Sequence, residues 1–400
     1  RVFRAPIFQG SYFNDIDQVA PGTCLINGVY FSTRDKLSNA KGNLQADSIS
    51  ELARELTLSV KSRLIADFPV AVLYSGGIDS NLIRQVVGKD ANYFTGGVLG
   101  HKSFDIDSAR KKGEAIRIIE PSEKEFLDRW HDMVSLRKEP LSVPNEVIIS
   151  FLGDAWAEHG GKVLLSGEGA DEFFGGYNRY IWLNKISRYP HSIRKILSKI
   201  IFKFNPNKWN ILFRNFHNFL PNKLRVALPG HKIHKLGHLL KYKIEKEIYH
   251  QMISFWSESD KLLNFYNEKD EFDEFDEFYI NGDFEKSMMA YDSYKYLTDD
   301  ILCKVDRAAM NFSLETRAPF LDHEMLETAW KIPLKYKLNP RTGDTKIILK
   351  KILEQYIPNK LISRPKMGFG IPLEHWLRAP LKNWMLDLLN QKSIKNSNII

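Results

Sequence analysis

The sequence predicts an α/β fold: a parallel sheet with helices on both faces, a mostly helical C-terminal part and a short β segment at the N-terminus. Three observations predict it. Between residues 69 and 165 short apolar runs alternate with stretches of helical period, the pattern of a sheet wrapped by crossover helices. Two of those apolar runs end in Gly-rich turns, at SGGIDS (75–80) and SGEGADEFFGGY (166–177). The 400 residues are 43% hydrophobic and 26% charged, a globular balance that excludes disordered, collagenous and coiled-coil classes.

Taken in order, residues 1 to 36 alternate apolar runs with Gly and Pro (APIFQGSYF, then VAPGTCLINGVYF), which predicts strands with tight turns. From Asp47 the period changes. Ile49, Leu52, Leu56, Val60 and Leu64 recur at helical spacing, with Asp47 or Ser48 as N-cap. That switch, with the polar stretch KLSNAKGNLQ, predicts a domain boundary near residues 37 to 46. Strands are expected at 69–74, 91–98, 115–119 and 162–165, and helices from about residue 79 and over 105–113, 123–136 and 146–159. After Tyr180 no further strand is expected and the chain reads as helical. In such sheets the ligand crevice lies beyond the C-terminal strand ends.

Charge is unevenly spread. Residues 181 to 243 hold 14 Lys or Arg and no Asp or Glu, so the rest of the chain has 43 basic against 49 acidic residues, although the net charge is +8. Such a block is a helical insert with a solvated basic face, a lipid-surface element or a phosphate-gripping one. An acidic stretch follows, Glu268 to Glu277, with Phe272, Phe275 and Phe278 every third residue; it reads as a surface helix that neutralises the basic block. Two cysteines, Cys24 and Cys303, make neither a disulfide framework nor a zinc quartet, so a reduced, cytoplasmic setting is expected. No apolar run reaches the roughly 18 residues of a membrane span, and no signal-peptide pattern opens the chain. A start at Arg1 instead of Met reads as a piece of something longer.

The chemistry sits in the two turns. In Ser75-Gly76-Gly77-Ile78-Asp79-Ser80 the glycines let backbone N–H groups approach an anion, and the following helix N-terminus adds partial positive charge. Ser75 and Ser80 add neutral donors. Asp79 would repel a bare phosphate, so its role is to hold Mg²⁺ beside one. A P-loop is excluded because Gly160-Gly161-Lys162 is followed by Val163, and a dinucleotide fingerprint because only two adjacent glycines follow the strand. In the second turn Glu168 and Asp171 are acids exposed by flanking glycines, able to ligate Mg²⁺ or take a proton from an attacking amine.

The SGGIDS turn resembles the pyrophosphate-binding loop of the PP-loop ATP pyrophosphatases (adenine nucleotide α-hydrolase-like fold). With SGEGADEFFGGY it resembles the synthetase domain of glutamine-hydrolysing asparagine synthetases. Three further segments match in the same order: YLTDDILCKVDRAAM (296–310), SLETRAPFLDHEM (313–325) and SRPKMGFGIPLEHWL (363–377). The resemblance covers about residues 46 to 380. It implies a carbon–nitrogen ligase that adenylates a carboxylate, most simply aspartate, with ATP and Mg²⁺ and then forms an amide with ammonia, releasing AMP and pyrophosphate. Glutamine would supply the ammonia in the longer protein. By position, Ser75, Gly76, Gly77, Asp79 and Ser80 would hold the pyrophosphate portion, and Asp79 and Asp171 would share Mg²⁺. Leu73, Gly96, Ser166 and Gly167 would contact the nucleotide. Glu168 would take the proton from ammonia, Lys366 would stabilise the α-phosphate and the intermediate, and Lys346 is a further phosphate candidate. Arg307 and Arg317 are divided between this site and structural pairing with acids such as Asp306 and Glu315.

The resemblance also implies that residues 1–45 are the C-terminal remnant of an Ntn-type glutaminase domain, since neither cysteine stands where that domain's nucleophile would. Residues 46–400 are then the synthetase domain, with the basic insert at about 181–243. Expected partners are small molecules (aspartate or a related carboxylate, ammonia or glutamine) and no nucleic acid, with a homodimer left open. Alternatives within the fold amidate another acid in polysaccharide or peptide biosynthesis, or close a ring as β-lactam synthetases and lasso-peptide cyclases do. A glutamate at 168, where β-lactam synthetases carry tyrosine, favours ammonia. A tRNA-modifying relative would use the basic block, but no Cys-x-x-Cys accompanies it.

Overall fold

The structure is a computed structural model that describes residues 16, 19, 21, 23–26, 29–32, 48–101, 106–107, 109–110, 116–138, 141, 143–215, 229–254, 273–362 and 371–396. Its elements are β1 (Thr23–Ile26), β2 (Val29–Ser32), α1 (Ser48–Arg63), β3 (Val70–Leu73), α2 (Ile78–Val87), β4 (Asn92–Gly96), β5 (Ile116–Ile119), α3 (Glu123–Arg137), α4 (Asn145–Ala157), β6 (Val163–Leu165) and α5 (Ala170–Phe173). Next come α6 (Asn178–Ser187), α7 (His191–Phe202), α8 (Pro206–Asn215), α9 (Pro229–Leu240), α10 (Glu245–Ile253) and α11 (Phe284–Tyr291). A π-helical segment (Asp292–Leu302) leads into α12 (Cys303–Met310), followed by β7 (Glu315–Arg317), α13 (His323–Lys331), α14 (Ile347–Leu353) and short helices to residue 396. The described residues form two compact units, one of Tyr177–Met288 with Pro340–Gly343 and one of the remainder.

The larger unit is the α/β fold. Five strands pair in the order β5-β4-β3-β6-β7, all parallel. Successive side chains of β3 point to opposite faces. Ala71 and Leu73 join Phe94, Leu164, the α4 residues Val147, Ile148, Leu152 and Trp156, and Ala308 and Ala309 of α12 in one core cluster. α2 lies against β3 and packs on α1 and α14. Trp156 fixes the turn into β6: its indole donates to Val163 O at 3.0 Å, and a Cβ on Gly161 would collide with its ring.

The strands expected at 69–74, 91–98, 115–119 and 162–165 are present, whereas of those expected within residues 1–36 only Thr23–Ile26 and Val29–Ser32 fall among the described residues, and APIFQGSYF lies outside them. The expectation that strands end at Tyr180 is corrected by β7, which pairs with β6 through Val163–Glu315 and Leu165–Arg317. A polar three-residue edge strand needs neither an apolar run nor alternation, so it leaves no pattern to read. α1 begins on Ser48 itself, so Ser48 is its first helical residue and not its cap, and Asp47 lies outside the described residues. β1 and β2 form an antiparallel hairpin with Thr23 opposite Ser32. Of the helix expected over 105–113, only residues 106–107 and 109–110 are described, as helical.

The smaller unit contains α6–α10. The acidic stretch departs from its expected form: Asp273–Phe278 is a 3₁₀ helix, residues 268–272 lie outside the described residues, and Phe275 is fully buried. Three residues per turn put every third ring on one side. Phe275 accordingly packs on Tyr249 and Phe284, with ring centroids 5.4 Å away in both cases. Asp276 pairs with Lys246 at 2.8 Å, three residues beyond the basic block.

His250 on α10 is buried, and burial, aided by the Lys246 charge, pushes its imidazole from 6.5 down to about 4. The fold holds the neutral ring, whereas the unfolded chain takes up a proton as pH falls through about 6.5. This contribution is therefore complete above that pH and is lost between there and about 4. The expected loss by pH 5 is about 2 kcal/mol. Urea denaturation of the native chain and His250→Gln at pH 7 and 5 measures it: the variant should lose less stability over that interval, and equal losses would refute the assignment.

Candidate active site

β3 is flanked by β4 on one side and β6 on the other, so the strand order reverses at β3 and the loops leaving β3 and β6 lie side by side. That is where parallel sheets open a ligand crevice at their C-terminal edge. Contact between the two turns is close, because a Cβ on Gly167 would stand 2.9 Å from Asp79 Cβ. Glycine there is what allows the second turn to lie against the first.

The first turn is built around Asn81, which the sequence reading did not single out. Its buried side-chain amide donates to Gly76 O at 2.7 Å and Gly77 O at 2.8 Å, and its Oδ1 accepts from the Tyr74 hydroxyl at 2.9 Å. Both glycine carbonyls are thereby held toward the helix. Gly76 has φ 66°, a conformation that costs a side-chain-bearing residue about 1 kcal/mol or more. Gly77 precedes α2 with no side-chain cap, so the first-turn N–H groups receive no capping bond from it. The Ser75 and Ser80 hydroxyls are 3.4 Å apart, a weak contact that a better acceptor would displace. Arg84 lies over the Tyr74 and Tyr93 rings at 5.5 and 5.2 Å and backs this support. The available signal was a short amide next to the apolar pair Leu82-Ile83 of α2, four residues past Gly77. Asn81→Leu is expected to cost about 1–3 kcal/mol of stability, since Gly76 O loses this donor and the Tyr74 hydroxyl its acceptor, while Gly77 O keeps the Asn81 backbone N–H at 3.1 Å; urea denaturation that finds the variant as stable as the native chain would rule out this positioning role.

The second turn carries Glu168 and Asp171. Gly169 has φ 90°, and a Cβ there would strike Leu321; Gly175 has φ 68° and abuts Leu338. Glu168 Oε2 is buried and has no hydrogen-bond partner among the described residues. α5, with Asp171, packs against the π-helical segment, which buries Asp292, Lys295 and Asp300. Lys295 pairs there with Asp299 at 3.3 Å.

Lys346 joins the two turns. It precedes α14 in a left-handed conformation, φ 50° and ψ 39°, a strained state for a lysine. Its Nζ donates to Asp79 Oδ1 and Oδ2 at 2.7 Å each and pairs with Asp171 Oδ1 at 2.8 Å. The lysine side chain is 4% exposed, and the two aspartates 13% and 16%. A Cβ on Gly176 would collide with Asp171 Oδ1 and Lys346 Cε, so glycine leaves the space for this triad. Two carboxylates against one ammonium give a formal charge of −1.

The structure thus brings Ser75, Gly76, Gly77, Asp79, Ser80, Ser166, Gly167, Glu168, Asp171 and Lys346 to one edge of the sheet. Leu73 and Gly96 end β3 and β4 there. A Cβ on Gly96 would press on Ile148 and Leu152 at 2.8 and 3.2 Å, so α4 packing also demands glycine at this position. Lys366 lies outside the described residues. Arg317 is structural: it is paired through Nε and Nη2 with Glu315 at 2.8 and 3.1 Å and donates to Arg63 O and Ile65 O at 2.9 and 2.8 Å. That hydrogen bonding holds the Glu315 carboxyl below its ordinary range and raises the Arg317 guanidinium. Among the described residues no group of three or more His, Cys, Asp or Glu is placed to hold a metal ion. Two carboxylates suffice for Mg²⁺, which usually takes one or two from a protein and the rest from phosphate and water. Asp79 and Asp171 already converge on a single cationic nitrogen, so the donor set fits.

Fold and site together define a class of α/β protein in which two Gly-rich turns and a buried lysine meet at a strand-order reversal. The chain belongs to the asparagine synthase family, whose family model matches residues 51–400. The glutamine-hydrolysing asparagine synthetase 1 of Bacillus subtilis is 28% identical over 357 residues, covering 86% of this chain and 52% of the relative. Asparagine synthetase 3 of the same organism is 21% identical over 371 residues, covering 86% of this chain and 52% of itself. The amidase chyE of Penicillium rubens is 24% identical over 460 residues, covering 98% and 63%. The chain spans about half the length of the asparagine synthetases it matches. The family uses ATP as a substrate and forms carbon–nitrogen bonds. Among the described residues no helix is long and apolar enough to cross a membrane.

Proposed function

We propose that this chain carries the ATP-dependent half of an asparagine synthase-type reaction: it adenylates a carboxylate, most simply the side chain of aspartate, and ammonia converts the adenylate to an amide. The observation that carries this reading is the convergence of Asp79 and Asp171, from turns after adjacent strands, on the Lys346 ammonium.

In the first step a carboxylate oxygen attacks the α-phosphorus and pyrophosphate leaves. The turn at 75–80 is suited to the departing pyrophosphate, because backbone N–H groups and two hydroxyls stabilise its charge without reorganising. Asp79 and Asp171 would hold Mg²⁺, whose charge offsets that developing on the phosphates. Lys346 can turn from the carboxylates to a phosphate oxygen, and Lys366 would serve the α-phosphate. In the second step ammonia attacks the acyl carbon, AMP leaves, and Glu168 takes the proton released from nitrogen. Its buried Oε2 suits an ammonium or amine donor.

The longer protein would include a glutaminase domain, of which residues 1–45 are the end, and glutamine would be the nitrogen source. A cytoplasmic location goes with this reading. The test is incubation with ATP, Mg²⁺, ammonium and a panel of carboxylic acids, with mass spectrometry of the products. Asparagine with stoichiometric AMP and pyrophosphate is the expected result. An amide of another acid would keep the mechanism and change the acceptor, and ADP formation would refute the adenylation.

A further inference from the structure

The smaller unit presents a surface that the nucleotide site does not use. On α7, Ile193, Ile196, Leu197 and Ile200 are 47%, 59%, 45% and 50% exposed. At 100° per residue these four fall within about one-third of the helix circumference. Phe204, just past the helix, is exposed too, as are Ile211 and Leu212 on α8. Lys203 and Lys199, both exposed, flank the stripe on one side, and exposed Lys195 continues the same basic row further round the helix.

The orientation of α7 is fixed from its inner side. Arg194 donates to the carbonyls of Tyr189, Tyr242 and Lys243 at 3.0, 2.9 and 3.3 Å, and Ser198 donates to Gly237 O at 2.8 Å. Gly237 on α9 lets the helices close up, since a Cβ there would come within 2.9 Å of Ile201. Rolling α7 to bury its isoleucines would break these bonds and strand a part-buried guanidinium. The apolar stripe is therefore held outward, at a cost in water that a partner would remove.

We propose that this face of α7 docks in the headgroup layer of a lipid bilayer carrying anionic lipid. A helix with an aliphatic stripe and a lysine flank is built to lie in that interface, its apolar residues among the upper acyl chains and its ammonium groups on the phosphates. Charge complementarity selects the occupant. With 14 basic and no acidic residues over 181–243, two copies of this face would repel each other in a two-fold dimer. An RNA backbone would match the charge, but the α7 stripe itself is aliphatic and Phe204 just past it is a single ring, a poor platform for successive stacked bases. The proposal is independent of the reading of the nucleotide site.

The experiment is co-sedimentation of the 400-residue chain with vesicles of phosphatidylcholine alone or with about 40% phosphatidylglycerol. Binding is expected only with phosphatidylglycerol and should weaken at least tenfold between about 0.1 and 0.5 M salt. Lys195→Gln with Lys199→Gln and Lys203→Gln should lower the partition coefficient about 100-fold. Ile196→Gln with Ile200→Gln should lower it about 30-fold. Both variants should keep the native circular dichroism and urea-denaturation midpoint. If either folds poorly, hydroxyl-radical footprinting of the native chain decides the matter, because vesicles should protect Ile196, Leu197 and Ile200. The proposal is overturned by absent or salt-insensitive binding, or by equal binding to neutral vesicles. A lipid-free dimer that the isoleucine variant dissolves also overturns it, as does polynucleotide binding that needs the lysines but not the isoleucines.

Discussion

Lys346→Met is expected to cost on the order of 3 kcal/mol of stability and to abolish ATP–pyrophosphate exchange. Methionine keeps most of the stem's volume, so the loss isolates the ammonium. Without it, Asp79 and Asp171, only 13% and 16% exposed, face each other with no charge between them. Breaking a buried pair from one side is far more destabilising than replacing it whole. Two measurements follow. Adding Asp171→Asn to the variant should recover part of the loss in urea denaturation, because it removes one of the two repelling charges. Magnesium should raise the melting temperature of Lys346→Met more than that of the native chain, since the vacated carboxylates become a site for a small cation. A variant as stable as the native chain, with no added response to magnesium, would mean that the triad is not an electrostatic unit.

Glu168→Gln should separate the two chemical steps. Glutamine has the same shape and cannot accept the proton that ammonia gives up on attack. Amide formation is expected to fall about 100- to 10,000-fold, while ATP–pyrophosphate exchange driven by the carboxylate stays within a few-fold of native. Rapid-quench assays for pyrophosphate and for amide give both rates. Equal losses in the two steps would place Glu168 in nucleotide binding and remove it as the proton acceptor. The buried Oε2, without a hydrogen-bond partner among the described residues, makes a neutral amide tolerable for folding, so a collapse of stability is not expected.

Much of the site was legible because its chemistry is local. Glycines at 76, 77, 167 and 169, hydroxyls at 75 and 80, and acids at 79, 168 and 171 all sit within two short turns, each directly after an apolar run. Asn81 and Lys346 were harder for different reasons. Asn81 acts by folding back on Gly76 and Gly77, a bond set by backbone geometry and not by composition. Lys346 reaches Asp79 across 267 positions, a separation no local pattern encodes. β7 was missed because a polar edge triplet lacks both period and hydrophobicity.

Sequence alone determined that apolar runs ending in Gly-rich turns would form parallel strands followed by tight loops at the sheet's C-terminal edge, since side-chain period and glycine's backbone freedom act over a few residues. It also determined the concentration of positive charge over residues 181–243. Tertiary structure decided which strands are neighbours. Only because β6 inserts beside β3, with Val72 opposite Leu165, do two turns about 90 residues apart in the chain become one site. It likewise decided which face of α7 turns outward, because Arg194 and Ser198 find their carbonyl partners on the inner side. Both outcomes depend on pairings between distant segments, whose free energy exists only once the chain has closed on itself.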